Sequence, residues 1–295
     1  MRTDVATEDL AASAPEGAKK TGGREIILRV IMAAILAPLG AWACWTGGLA
    51  LTMATGACAV LASAEWTRMA SQTEVQWARV LLLVVMAAGG AGAVYVAPQG
   101  VDLVALVSLV TAVIAAGIAW VSKGSISSMA FGAIYTSLPF GAFVWIREAP
   151  ADGRMIMIAL LAIVWATDIA AYFAGRGFGG PLLSPKDSPN KTWTGAIGAL
   201  VCAGLAGGAV ARAAGGDFMH WLTASLVVSV VAQAGDLLES RFKRLYGVKD
   251  TSGIIPGHGG VLDRLDALMA ASVFVALMLR FFPALTPGFA SAGAG

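Results

Sequence analysis

The chain has 295 residues, 58% of them apolar and 13% charged, with a formal net charge of +2 at pH 7 and a mean hydropathy of +0.76. Soluble domains are about a quarter charged, so this profile excludes an ordinary soluble globule and, for the bulk of the chain, disorder. A net charge this small gives no reason to expect a nucleic-acid partner.

Residues 1–25 carry Asp4, Glu8, Asp9 and Glu16 and no apolar run. They are expected to be a disordered tail, not a signal peptide. From Ile26 onward, apolar runs of about 18 to 22 residues recur, the length a helix needs to cross roughly 30 Å of hydrocarbon. The pattern predicts nine spans, within 26–46, 48–65, 79–98, 101–121, 127–146, 155–175, 193–212, 219–238 and 260–281. Between them lie Gly47-Gly48, the polar 66–78 segment, Pro98-Gln99-Gly100, a Gly/Pro-rich loop at 176–191 and a long polar stretch at 239–259. Trp66, Trp77, Trp120, Trp145 and Trp193 fall near span ends, where an indole prefers to lie. The expected fold class is therefore all-α, a polytopic integral membrane helical bundle. The spans of 26–125 hold no polar constellation and read as scaffold. Those of 126–285, with their loops, read as the catalytic half, and 286–295 as a short flexible tail. Cys44, Cys58 and Cys202 stand singly in apolar runs and read as small buried hydrophobes, with neither disulfide nor thiolate-metal spacing.

Nine spans put the termini on opposite sides, and the cations choose between them, because cytoplasmic loops retain Lys and Arg. Most of the twenty fall on the N-terminal side; Arg147, Arg154, Arg212 and Arg280 fall opposite. The amino terminus is thus expected in the cytoplasm, together with both polar loops, within reach of a nucleotide or phosphate.

Polar chemistry collects in the second half. Asp168, Tyr172 and Arg176 share one face of the sixth span at i, i+4 and i+8. A carboxylate there should face the bundle interior or a wet cavity, either paired with Arg176 or serving a catalytic site. Ser188-Pro189-Asn190-Lys191-Thr192 leads into the seventh span, where hydroxyls cap a helix and its free N–H groups favour an anion. Lys191 and Thr192 could grip a phosphate there. Residues 235–266 carry the strongest signal. Asp236, Glu239, Ser240 and Lys243 lie on one helical face, and Asp263 and Asp266 open the ninth span at i, i+3. Aspartates at two helix ends suit magnesium, which accepts few protein carboxylates and leaves positions for phosphate oxygens. His220 and His258 have no second ligand at zinc spacing. Gly257-His258-Gly259-Gly260 lets backbone amides approach a polyphosphate, and Arg241, Lys243, Arg244 and Lys249 can hold phosphates or anionic headgroups.

Ser240-Arg241-Phe242-Lys243-Arg244, Lys249-Asp250, and the run from Pro256 through His258 and Asp263-Arg264 to Asp266 together resemble the signature of phosphatidate cytidylyltransferases, the CDP-diacylglycerol synthases. The pattern of Trp165, Asp168, Tyr172 and Gly175, and the segment Ser188 to Trp193, resemble two further blocks of that family, so the likeness covers roughly 165–266. It implies transfer of a cytidylyl group from CTP to phosphatidate, giving CDP-diacylglycerol and pyrophosphate, with magnesium; whether one or two ions bind, and whether an additional monovalent cation joins them, stays open. On this resemblance Asp236 and Asp263 bind metal, with Asp250 and Asp266 as supporting or additional ligands. Lys191, Arg241, Lys243, Arg244, Lys249 and Arg264 would clamp phosphates, His258 would hydrogen-bond one, and Ser188, Thr192, Asp168 and Tyr172 would serve substrate binding. It further implies a multi-pass protein of a bacterial-type inner membrane, with its active site facing the cytoplasm and with CTP, phosphatidate and membrane lipids as partners; the oligomeric state, a homodimer included, stays open. Where the family usually reads Ser-Pro-Lys-Lys-Thr-x-Glu-Gly, this chain has Asn190 and Thr194, and Ser184-Pro185-Lys186 repeats the motif's opening upstream. Either Lys186 or Lys191 could therefore meet the nucleotide. Two competing readings are a CTP-dependent polyprenol or lipid kinase, which would release CDP, and a secondary transporter. The latter predicts polar groups near the midplane of two corresponding halves, whereas here they gather at one border of one half.

Overall fold

A computed structural model describes residues 23–254 and 259–283, with residues 23–30 and Ala33 described by backbone alone. Among the described residues the chain forms α1 (Gly23–Thr46), α2 (Gly48–Ala70), α3 (Gln76–Val96), a single 3-10 turn (Ala97–Gln99), α4 (Val101–Val121), α5 (Ile126–Glu148) and α6 (Gly153–Phe178). A two-stranded ribbon, β1 (Leu182–Ser184) and β2 (Ser188–Thr192), precedes α7 (Trp193–Ala213), α8 (Phe218–Leu245) and α9 (Leu262–Phe281). Helices α2 to α8 are each long and apolar enough to cross a membrane. The described apolar part of α1 is shorter, and Asp263, Arg264, Asp266 and Arg280 crowd the ends of α9. Large apolar side chains point outward along the bundle, among them Leu49 (74% exposed), Tyr95 (73%) and Phe178 (83%). Water would not tolerate so much apolar surface, and lipid requires it. The protein is an all-α polytopic membrane protein.

Short connections make neighbouring helices antiparallel, and polar contacts tie each end of the bundle. At one end Arg147 of α5 donates to the carbonyls of Cys44 (2.8 Å) and Trp45 (2.9 Å), capping the last turn of α1. Glu148 accepts there from the Gly48 amide at 2.7 Å, and Arg280 of α9 pairs with Asp102 of α4 at 3.1 Å. At the other end the Trp66 indole, 1% exposed, donates to Ser128 O at 2.9 Å and packs against Phe131, Tyr135, Phe242 and Tyr246. That aromatic cluster joins α2 and α5 to the end of α8. Polar side chains inside the bundle find one another, as Ser63 does Thr136 (3.1 Å) and Thr167 does Ser229 (2.8 Å). Gly235 lets α8 and α9 touch: a Cβ there would meet Ala270 and stand 3.0 Å from Asp266 O.

The expected spans lie within a few residues of the observed helices, with three corrections. Helix α8 does not stop at 238 but runs on to Leu245, because Glu239, Phe242 and Lys243 keep an inward-facing helical stripe, with Glu239 only 2% exposed. Arg241 and Arg244 therefore stand on the same helix whose face the spacing of Asp236, Glu239, Ser240 and Lys243 marks. The 176–191 segment is not plain loop: Leu182 pairs with Thr192 and Ser184 with Ser188 in an antiparallel hairpin, its turn closed by Ser184 Oγ donating to Asp187 at 3.0 Å. Cys44 is buried and Cys58 half-buried, but Cys202 is exposed on α7, beside the outward-facing Val201 and Leu205. Helix α1 already begins at Gly23; the rest of the expected amino-terminal tail, and the 286–295 tail, lie outside the described residues.

Candidate active site

The hairpin, α6, α7, α8 and α9 enclose a cavity of about 420 Å³ at the end of the bundle that carries both polar loops. Helix α6 contributes Thr167, Asp168, Ala171 and Tyr172; β2 contributes Ser188, Asn190, Lys191 and Thr192; α8 contributes Gln233 and Asp236; α9 contributes Asp263, Arg264 and Asp266. The hairpin matters because it turns Lys191 inward, where the ammonium group forms an ion pair with Asp236, both side chains about a third exposed. Thr192 caps α7, its Oγ1 accepting from the Gly195 amide at 3.1 Å. Four carboxylates (Asp168, Asp236, Asp263, Asp266) and two cations (Lys191, Arg264) thus line one cavity. Such an excess of negative charge would repel a polyphosphate unless further cations enter.

Asp263 is held far more tightly than Asp236. Its side chain is only 4% exposed; Oδ1 receives Lys243 Nζ at 2.8 Å, and Oδ2 accepts from Thr251 N (2.9 Å), Thr251 Oγ1 (3.0 Å) and Gly260 N (2.8 Å). The bond from Gly260, three residues earlier, places a carboxylate at the positive end of α9. Lys243 also reaches Glu239 Oε2 at 2.6 Å, so one ammonium sits between two nearly enclosed carboxylates. Asp266 Oδ1 accepts from the Ala267 amide at 2.7 Å.

The structure brings together Asp168, Tyr172, Ser188, Lys191, Thr192, Asp236, Asp263, Arg264 and Asp266 around this cavity. Lys243 stands one contact behind it, bonded to Asp263. Arg241, Arg244, Lys249 and Asp250 are exposed and do not line it, and His258 lies outside the described residues. Lys186 sits exposed in the hairpin turn. Asp168 reaches the cavity without pairing to Arg176, which instead donates to Tyr172 OH at 2.9 Å. Among the described residues no three His, Cys, Asp or Glu side chains converge at metal-ligand spacing. Magnesium needs no such trio: one or two carboxylates, with water and phosphate oxygens filling the remaining positions, suffice. The carboxylates of Asp168, Asp236, Asp263 and Asp266 offer hard oxygens of the kind that ion takes.

One buried carboxyl group in contact with the loop behind the cavity is not among the residues the sequence singles out. Glu65 of α2, in the half read as scaffold, is 0% exposed and bonds to Thr251, Ser252 and the first amides of α9. Its signal was present: a carboxylate inside an apolar helix is costly unless something answers it.

The fold is a polytopic membrane bundle of helices with an acid-rich cavity at one end, bordered by a lysine-bearing hairpin. The chain belongs to the Cytidylyltransferase family, which it matches over residues 27–282. It is 35% identical over 263 residues to the phosphatidate cytidylyltransferase of Brucella suis, covering 86% of this chain and 93% of that protein. The enzyme of the same name from Pseudomonas aeruginosa is 34% identical over 263 residues, 85% of this chain and 96% of the relative. That of Bacillus subtilis is 38% identical over 152 residues, 51% and 56% respectively.

Proposed function

We propose that this chain transfers a cytidylyl group from CTP to phosphatidate, releasing pyrophosphate and forming CDP-diacylglycerol. The observation that carries this reading is a single cavity, at a membrane border, that gathers Lys191, Asp236, Asp263 and Arg264 in a chain resembling phosphatidate cytidylyltransferases over most of its length. A phosphate monoester oxygen of the lipid attacks the α-phosphorus, and the bond from that phosphorus to the pyrophosphate oxygen breaks. The attacking group is already ionised near neutral pH, so a dedicated base is not the main requirement. Charge is the obstacle, and catalysis rests on neutralising and aligning oxygens. Lys191 and Arg264 supply fixed positive charge, and Thr192 caps the start of α7, whose positive dipole end borders the cavity. Asp236 and Asp263 would hold magnesium, which when bound supplies the positive charge that lets two anionic substrates approach.

In the same reading nine helices cross the inner membrane, α1 and α9 included, with the amino terminus and the cavity on the cytoplasmic side. Headgroup and nucleotide then meet at the leaflet surface. The test is purified protein in detergent, supplied with CTP and phosphatidate, with and without magnesium. CDP-lipid and pyrophosphate that appear only with the metal are expected. Release of CDP with a phosphorylated lipid would replace this reading by a kinase, and no turnover of any nucleotide would overturn it.

A further inference from the structure

Glu65 lies on α2, a hundred residues before the segment that carries the family motifs, and both its oxygens are fully engaged. Oε1 accepts from Ser252 Oγ at 2.5 Å and from the Val261 amide at 2.9 Å. Oε2 accepts from the Leu262 amide at 2.9 Å and lies 3.1 Å from Thr251 Oγ1, whose single proton it shares with Asp263 Oδ2. The two amides belong to the start of α9, where N–H groups have no partner within the helix, so a carboxylate from another helix serves as its cap. Three unshared donors, Ser252 Oγ and the Val261 and Leu262 amides, together with the shared Thr251 hydroxyl, answer the burial of this carboxyl group.

Thr251 links this cap to the cavity. Its Oγ1 lies within bonding distance of both Glu65 Oε2 and Asp263 Oδ2, and its amide donates to Asp263 as well. Gly260 completes the arrangement, since a Cβ there would collide with Thr251 Oγ1 and stand 2.7 Å from Glu65 Oε1. Glu65, Thr251 and Asp263 therefore form one chain of contacts from the amino-terminal half to the cavity wall. We propose that Glu65 is a positioning residue: it latches the loop between α8 and α9 onto α2 and, through Thr251, sets where the Asp263 carboxylate stands, without itself touching substrate. The activity arm of this inference rests on the cytidylyl-transfer reading.

The test compares wild type with Glu65→Gln, which keeps the shape but puts an NH2 group against donors. Loss of an outer hydrogen-bonding partner of a metal-binding carboxylate typically lowers metal affinity or activity about 10- to 100-fold. A fall in kcat of that size is expected, with a raised magnesium midpoint and little change in KM for CTP. A second readout needs no activity. In metal-free protein, tryptic cleavage at the exposed Lys249 should be about tenfold faster in the variant, because cleavage reports the opening of that loop. Thr251→Val should reproduce both changes and Thr251→Ser should reverse them. The double variant Glu65→Gln/Thr251→Val should be no worse than either single one, as expected for residues acting through one network. Wild-type kcat and wild-type cleavage in Glu65→Gln would overturn the inference. If that variant does not accumulate, Thr251→Val at wild-type levels in both assays would do the same. Should wild type itself form no CDP-lipid, the cleavage arm still judges the latch while the functional reading falls on its own.

Discussion

Asp263→Asn is expected to remove activity and weaken the fold together, whereas Asp236→Asn should remove activity alone. The difference follows from their surroundings. Asp263, 4% exposed, takes one bond from Lys243 and three from Thr251 and Gly260. An amide has a single acceptor oxygen: turned toward the three donors it presents NH2 to the Lys243 ammonium, and turned the other way it presents NH2 to two backbone amides and a hydroxyl. Breaking a buried pair by removing one partner costs about 3–5 kcal/mol, and the lower figure, about 3 kcal/mol, applies because Lys243 keeps Glu239 at 2.6 Å. Asp236 has Lys191 as its ion-pair partner, with both side chains about a third exposed. An asparagine there can still accept from the lysine, so the loss is about 1 kcal/mol or less. Pyrophosphate release measures the first quantity and reversible unfolding in mixed micelles the second. Both variants should lose roughly 100-fold or more in kcat/KM. Equal destabilisation of the two, or wild-type stability in Asp263→Asn, would refute the hydrogen-bond argument; retained turnover in either would refute the site.

Lys191→Met should lower kcat/KM with CTP by roughly 100-fold, since it removes a cavity cation, while Lys186→Met, at the exposed hairpin turn, should leave it unchanged; a CTP titration showing the reverse order would assign the nucleotide to the upstream Ser184-Pro185-Lys186. Gly260→Ala should destabilise the protein by about 1–3 kcal/mol through overpacking against Thr251 and Glu65, read as a lowered melting temperature in detergent, and a variant melting like wild type would mean that the loop packs otherwise.

The helices were legible because lipid imposes a simple rule: every backbone polar group must be bonded within its own segment, so apolar length alone marks a span. The end of α8 was less legible. Apolar length ends the span near 238, while the helical spacing of Asp236, Glu239, Ser240 and Lys243 carries the helix further, to where Asp263 meets the lysine. Polarity marks where water is, and at a cavity mouth water reaches beside an intact helix. The hairpin was hidden for a different reason. Ser188-Pro189-Asn190-Lys191-Thr192 has neither alternation nor β-branched residues beyond Thr192, and its pairing with Leu182 and Ser184 comes from the turn around Asp187.

The cavity residues could be named in advance because their chemistry sits in their side chains: aspartates at helix ends and a lysine before a helix announce themselves by type and spacing. Glu65 could not be placed that way. Two of its four donors are backbone amides, which no residue type advertises, and the other two are a threonine and a serine in a loop 186 and 187 residues further on. What the sequence did carry was a carboxylate inside an apolar span, close to the membrane border. The physical demand that such a charge be answered applies to a helix read as scaffold as much as to one read as catalytic. The first-turn amides of the ninth span, which lack partners within their own helix, are the natural donors to an acid on another helix, since each would otherwise leave the other unsatisfied. At that contact the half read as scaffold meets the half read as catalytic, because α2 supplies the acceptor for the first amides of α9.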